Sequence, residues 1–329
     1  MRSRRILITG GAGFIGSHLA EKYLATGAEV YVIDNLSTGT LDNIEHIEKY
    51  PGLKDRFHVT IDTIFNEETM MELVGICDTV IHLAAAVGVQ YILDNPLSSI
   101  STNVLGTDLV LRLCNKFRKK VLVASSSETY GKQEISPLYE DGDIVFGSSG
   151  KARWSYAVGK LVDEFSAIAY HRTTKLPTVI VRFFNTVGPR QTGEYGMVIP
   201  RFVQQALRDE PITVFGDGSQ TRTFTHVSEV CDVIMKIIDT PAAYGEVVNV
   251  GGVEEVSIKV LADLIVRKTG SKSAIKFVPY SEVYTEDFED MPRRVPSTDK
   301  CRSLIGFAPE MPLDAILDNI IDYFRTSAR

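Results

Sequence analysis

Short apolar runs alternate with longer amphipathic stretches through the first 185 residues or so. Ile6, Leu7 and Ile8 begin a strand expected over 6–9. Phe14, Ile15, Leu19 and Ala20 recur at helical spacing over 14–26, and further apolar runs predict strands over 29–33, 57–60, 79–83, 121–125 and 178–183. Helices are expected over about 98–117 and 152–173. Strands that are apolar throughout and alternate with helices imply a parallel sheet covered on both faces. The expected fold class is α/β, doubly wound.

After Asn185 the texture changes, and Gly188, Pro189, Gly193, Gly196, Pro200, Pro211, Gly216 and Gly218 punctuate shorter elements. Helices remain plausible over 198–209, 227–239, 258–268 and 313–324. The expected division is a sheet region over 1–185, with a return segment near 223–250, and a smaller loop-rich region over 186–329 that builds a substrate pocket. The acidic stretch 282–290, ending near Arg293 and Arg294, reads equally as a flexible lid or a solvated loop.

Composition narrows the function classes. With 35 basic against 42 acidic residues the net charge is -7, the wrong sign for non-specific binding to a nucleic-acid backbone. Cys77, Cys114, Cys231 and Cys301 stand far apart without a Cys-x-x-Cys, so neither a disulfide framework nor a metal site is expected. No run of eighteen apolar residues suits a membrane span. Arg2, Arg4 and Arg5 before an apolar stretch imitate a secretory signal, but four glycines, Thr9 and His18 interrupt that stretch. Strand, turn and helix explain it better, and a cytoplasmic protein is expected.

The first strand runs into Gly10, Gly11, Ala12, Gly13, Phe14, Ile15 and Gly16, with the helix beginning inside that stretch. Such glycines let the backbone approach a pyrophosphate, which free N–H groups at a helix N-terminus then meet. Asp34, followed by Asn35, ends the second strand about twenty residues on, where an acid grips the adenosine ribose. A carboxylate about 4 Å from a 2'-phosphate would repel it by roughly 4 kcal/mol per unit charge at an effective dielectric of about 20. The expected cofactor is therefore NAD. Asp62 and Ile64 after the third strand, and Leu83, Ala84 and Ala85 after the fourth, fall at the carboxyl ends where a doubly wound sheet binds its ligand.

Tyr156 and Lys160 stand four apart on one face of the helix expected over 152–173. A neighbouring ammonium and an oxidised nicotinamide both favour a phenolate that can deprotonate a sugar hydroxyl. A second pair, Tyr50 and Lys54, has the same spacing, but Pro51 and Gly52 break any helix there. Ser125, Ser126 and Ser127 end the fifth strand and offer a hydroxyl to the reacting oxygen, or merely cap the strand. Glu128 follows, an acid or base at the mouth of the sheet.

Together TGGAGFIGSHL at 9–19, HLAAA at 82–86, SSSETYG at 125–131, YAVGK at 156–160 and RFFNTVGPR at 182–190 resemble an extended short-chain dehydrogenase/reductase with a Rossmann sheet. Within that family the chain is similar, almost end to end, to NAD-dependent nucleotide-sugar epimerases, dehydratases and decarboxylases. The resemblance implies a catalytic set of Ser126, Tyr156 and Lys160, and places Asn185 and Arg222 on the substrate diphosphate with Arg293 or Arg294 as a second cation there. Ser127 followed by Glu128 is similar to UDP-glucuronate decarboxylases. The expected activity is decarboxylation of UDP-glucuronate through a 4-keto intermediate, with 4-epimerisation and 4,6-dehydration as alternatives. The intact catalytic set argues against a non-catalytic NAD sensor. The family also implies a homodimer formed through the helices over 98–117 and 152–173.

Overall fold

Seven parallel strands make the central sheet of the computed structural model, which describes residues 3–193, 197–283, 289 and 291–327. They are β1 (Arg5–Thr9), β2 (Glu29–Asp34), β3 (Phe57–Ile61), β4 (Thr79–His82), β5 (Lys120–Ser126), β6 (Thr178–Phe183) and β7 (Val247–Val250). Their order is β3-β2-β1-β4-β5-β6-β7. The order reverses between β1 and β4, which leaves a crevice above their carboxyl ends.

The continuous apolar strands follow from burial on both faces. Ile6 and Ile8 of β1 join a core with helices α1 (Phe14–Ala25) and α5 (Val227–Ile237), whereas Leu7 points into a second core. That second core is closed by α2 (Glu67–Ile76), α3 (Gly106–Phe117) and α4 (Arg153–Thr174). After α5, β7 pairs in parallel with β6, so the chain returns to the sheet. A third core forms between helices Val198–Leu207, Ile258–Thr269 and Leu313–Ser327 and the parallel strands Ile212–Phe215 and Ile275–Val278.

The helix expected over 98–117 runs from Pro96 to Phe117 and widens in its middle. It comprises Pro96–Ile100, a π-turn over Ser101–Leu105, and α3. In that wider turn buried Asn103 accepts from the Ala86 N–H at 2.9 Å and donates to the Ala86 carbonyl at 3.3 Å, fixing the loop after β4. The sequence pattern also gives no sign of a small sheet in which Thr221–Thr223 lies between antiparallel Glu255–Ser257 and parallel Arg293–Arg294. Strands of two or three residues are too short to show a period of two.

Of the acidic stretch 282–290, residues 284–288 and 290 lie outside the described residues. Glu289 accepts a hydrogen bond from the Trp154 indole at 3.1 Å and pairs with Lys132 at 2.6 Å. Among the described residues no helix is long and apolar enough to cross a membrane.

Candidate active site

The carboxyl ends of β1 to β6 open into one cleft of about 560 Å³, within the range of small-molecule sites. Gly10, Gly13, Phe14, Ile15, Gly16, Asp34, Asn35, Asp62, Ile64, Leu83, Ala84 and Ala85 all line it. Gly10 holds φ at +71°, and a Cβ there would stand 2.9 Å from the Ala84 nitrogen. A Cβ on Gly16 would lie 2.3 Å from the Gly10 carbonyl oxygen, so only glycine lets helix and turn approach this closely. The first-turn N–H groups of α1 have no partner within the helix and border the cleft.

Asp34 accepts from the Leu36 N–H at 2.9 Å and the Ala12 N–H at 3.0 Å. Burial raises its carboxyl above the ordinary value, against the pull of those amides. Asp62 is tied instead to its own loop, accepting from the Thr63 N–H at 2.7 Å, Asn66 Nδ2 at 2.7 Å and Thr69 Oγ1 at 2.9 Å. A cradle that any side chain would fill, free N–H groups and an acid at the end of β2 fit NAD. Gly16→Ala is expected to weaken NAD binding about tenfold or more, read by calorimetry, because the new methyl must displace the Gly10 carbonyl.

At the other end of the cleft Ser126, Glu128, Tyr156, Lys160, Asn185 and Arg294 come together. Ser126 ends β5 and caps the short 3-10 turn that follows, its Oγ accepting from the Glu128 N–H at 3.2 Å. The same hydroxyl faces the Tyr156 phenol. The cap expected from sequence is thus formed by Ser126.

The expectation that an ammonium lowers the Tyr156 phenol needs correction for the protein alone. Burial pushes the phenol up and the Glu128 and Asp163 carboxylates add to this, with Ser126 and Arg294 opposing. Lys160 is itself buried, and its Nζ lies 3.3 Å from Asp163 Oδ2.

Glu128 sits in a nest of arginines. Its carboxylate meets Arg153 Nη2 at 3.2 Å and Arg294 Nη1 at 2.5 Å. Burial alone would raise its carboxyl, but Arg153, Arg294 and Arg222 overcome this and hold it at about 2. Glu128 is therefore ionised at neutral pH and acts as a counter-charge to the arginines rather than as a proton donor. Arg294 also reaches Asn185 Oδ1 at 3.4 Å, and Asn185 Nδ2 donates to the Thr223 carbonyl at 2.8 Å.

The two candidate cations at 293 and 294 separate cleanly. Arg293 is corrected out of the site: it points to solvent and pairs with Glu255 at 2.7 Å, because neighbours on a strand face opposite sides. Arg222 does not line the cleft either. It is buried behind it, donating to the Thr221 carbonyl at 2.8 Å, and acts on Glu128 through its charge.

Sequence reasoning missed Arg153 and Asp163. Both carried a signal, since Arg153, Tyr156, Lys160 and Asp163 stand at i, i+3, i+7 and i+10 on α4, one face of a helix. A polar stripe buried along a helix marks a site rather than a core. Three buried polar groups along the cleft, Thr186 Oγ1, Gln191 Oε1 and Arg294 Nε, have no hydrogen-bond partner among the described residues. Such groups are left for a ligand to satisfy.

Comparison with known proteins agrees with this geometry. The family model described as GDP-mannose 4,6 dehydratase matches residues 7–320. A UDP-N-acetyl-alpha-D-glucosaminuronate decarboxylase of Bacillus cytotoxicus is 39% identical over 98% of this chain and 98% of its own. UDP-glucuronic acid decarboxylase 1 of Danio rerio is 35% identical, over 98% of this chain and 72% of its own. Among solved structures, a UDP-glucuronic acid 4-epimerase from Bacillus cereus, in complex with UDP-glucuronic acid and NAD, aligns with a TM-score of 0.87 at 29% identity, over 98% of this chain and 99% of that one. The Rossmann sheet, the glycine cradle beside Asp34 and the matches along almost the whole chain lead to one assignment: the chain belongs to the GDP-mannose 4,6-dehydratase family of extended short-chain dehydrogenases/reductases, NAD-dependent enzymes of nucleotide-sugar chemistry.

Proposed function

We propose that the chain decarboxylates a UDP-linked hexuronate through a 4-keto intermediate. The observation that carries this reading is the convergence of Arg153 and Arg294, with Arg222 behind them, on the cleft wall next to Tyr156. The guanidiniums of Arg153 and Arg294 border the cleft beside Tyr156 and offer fork-like N–H donors where the sugar would lie, which suits a carboxylate. The decarboxylase relatives support the same chemistry.

NAD, when bound, supplies a reversible two-electron oxidation at C4 of the sugar. Tyr156 exchanges a proton with the C4 hydroxyl, Ser126 hydrogen-bonds the same oxygen, and Lys160 holds positive charge one helical turn away. The 4-ketone is β to the C6 carboxylate. The C5–C6 bond therefore breaks with its electron pair entering an enolate, carbon dioxide leaves, C5 takes up a proton from water, and the hydride returns to C4 so that no net oxidation remains. Arg294 orients the carboxylate and Asn185 steadies Arg294, while the Ser126 and Tyr156 hydroxyls meet the charge that develops on the enolate oxygen.

UDP-glucuronate is the substrate expected from the Ser127–Glu128 pair. The 39% identity to the Bacillus cytotoxicus protein favours a second reading, in which the uronate carries an N-acetyl group. Carbon dioxide release measured side by side on the two UDP-uronates, with neutral UDP-glucose as control, tests both. Release from either acid and none from UDP-glucose is expected; release from neither acid would refute the proposal.

We further assign NAD binding to residues 1–185 with a return segment near 223–250, and nucleotide-sugar binding to the region 186–329. The return of β7 to the sheet and the separate third core support this division. A homodimer is proposed through the helices over 98–117 and 152–173, supported by exposed Ile100, Leu105, Val158, Val162 and Phe165. Phe165→Glu is expected to convert dimer to monomer in sedimentation analysis, and a wild-type protein that sediments as a monomer would contradict the assignment. A cytoplasmic location is supported by four buried free thiols, the state a reducing compartment maintains.

A further inference from the structure

The Glu128–Arg294 pair joins two segments far apart in the chain, and one side chain at the edge of the sheet grips both. Asn249 stands on β7, is 0% exposed, and lies outside the residues that line the cleft. Its Nδ2 donates to the Leu138 carbonyl at 2.9 Å and to the Ser297 carbonyl at 3.3 Å, while its Oδ1 accepts from the Tyr130 hydroxyl at 2.8 Å. Tyr130 closes the 3-10 turn Ser127–Tyr130 that carries Glu128. Ser297 follows closely on Arg294 along the chain.

The segment between Arg294 and Ser297 is held on two sides. The Leu138 N–H donates to the Val295 carbonyl at 2.8 Å, and the Ser297 N–H donates to the Leu138 carbonyl at 2.9 Å. Arg294 itself pairs with Arg222 on the short strand alongside. Asn249 therefore sits behind the bridge between Leu138 and the 295–297 backbone, and its own N–H is fixed by Glu140 Oε1 at 2.8 Å.

These partners allow the amide one orientation. Backbone carbonyls only accept, so Nδ2 must face Leu138 and Ser297; Oδ1 carries no hydrogen, so the Tyr130 hydroxyl donates to it. A flipped amide would set its oxygen against two carbonyl oxygens. Because Asn249 and Tyr130 are both buried, bulk water does not replace a bond lost here.

We propose that Asn249 is a positioning residue for the Glu128–Arg294 pair. Its oxygen holds the turn behind Glu128 and its NH2 holds the backbone behind Arg294, so the guanidinium keeps the aim at which it meets a substrate carboxylate. The identity of that carboxylate rests on the uronate reading above, whereas the clamp does not depend on any substrate.

Asn249→Asp keeps the shape of the side chain and still accepts from Tyr130, but its carboxylate has no proton for Leu138 or Ser297. Tyr130→Phe removes one oxygen and releases the other arm. Two measurements on the NAD-loaded protein test the proposal: calorimetry with the two UDP-uronates and with UDP, and hydrogen exchange at the Leu138 and Ser297 amides. Asn249→Asp is expected to weaken uronate binding about tenfold with UDP affinity unchanged, and to speed exchange at both amides about tenfold while β5 and β6 exchange as before. Tyr130→Phe is expected to move the same readouts about threefold, and it carries the test should Asn249→Asp fail to fold. Equal losses of uronate and UDP affinity, which general loosening would cause, or unchanged exchange at Leu138 and Ser297 in a folded variant, would overturn the proposal. If neither uronate binds the unmodified protein more tightly than UDP, the uronate reading fails, and the exchange rates alone decide for or against the clamp.

Discussion

Tyr156→Phe is expected to lower turnover by about 10³-fold while leaving NAD affinity unchanged. General acid–base groups contribute about 10² to 10⁴ in rate, and the phenol is the group in this cleft that both meets Ser126 and stands on the lysine face of α4. Removing only the oxygen preserves the ring and its packing. A loss confined to kcat, with cofactor binding intact by calorimetry, identifies a proton-transfer role; comparable turnover in the variant would exclude it.

Glu128→Gln is expected to act on stability as well as on turnover. The Glu128 carboxyl, held at about 2 against an ordinary 4.5, contributes about 3 kcal/mol of stability by linkage. Because the folded value is depressed, that contribution is fully present above about pH 4.5 and is lost as pH falls toward 2. In the glutamine variant this part of the acid dependence disappears, and stability at neutral pH drops by about 3 kcal/mol as Arg153 and Arg294 lose their counter-charge. Urea titrations of both proteins across this pH range measure the difference directly. Turnover is expected to fall several-fold as Arg294 loses the carboxylate that holds it, with uronate affinity retained because the arginines remain.

Much of this arrangement was legible in the sequence, for identifiable physical reasons. The apolar runs of β1 to β6 were readable because both sheet faces are buried, and Gly10, Gly16 and Asp34 because few residue types tolerate their positions. Tyr156 and Lys160 stood out through helical spacing. Arg153 lies on the same stripe, but an arginine at the start of a helix reads equally as a solvated charge until its burial is known. The choice between Arg293 and Arg294 was not legible: it depends on which side of a two-residue strand each faces, and pairing with Thr221 and Arg222, far away in the chain, sets that. The buried hydrogen bonds from Thr9 through His82 to Thr107 were equally out of reach, since these residues come from three elements that meet only in the folded sheet.

Whether carbon leaves the sugar decides between decarboxylation and every other chemistry this cleft could support. The most direct measurement is the mass of the sugar nucleotide after incubation of the purified protein with UDP-glucuronate or its N-acetylated counterpart and NAD. Loss of carbon dioxide, with a UDP-pentose as product, is the expected result. A product of unchanged mass, shown by proton NMR to be inverted at C4, would contradict decarboxylation and make the chain an epimerase built on the same cleft.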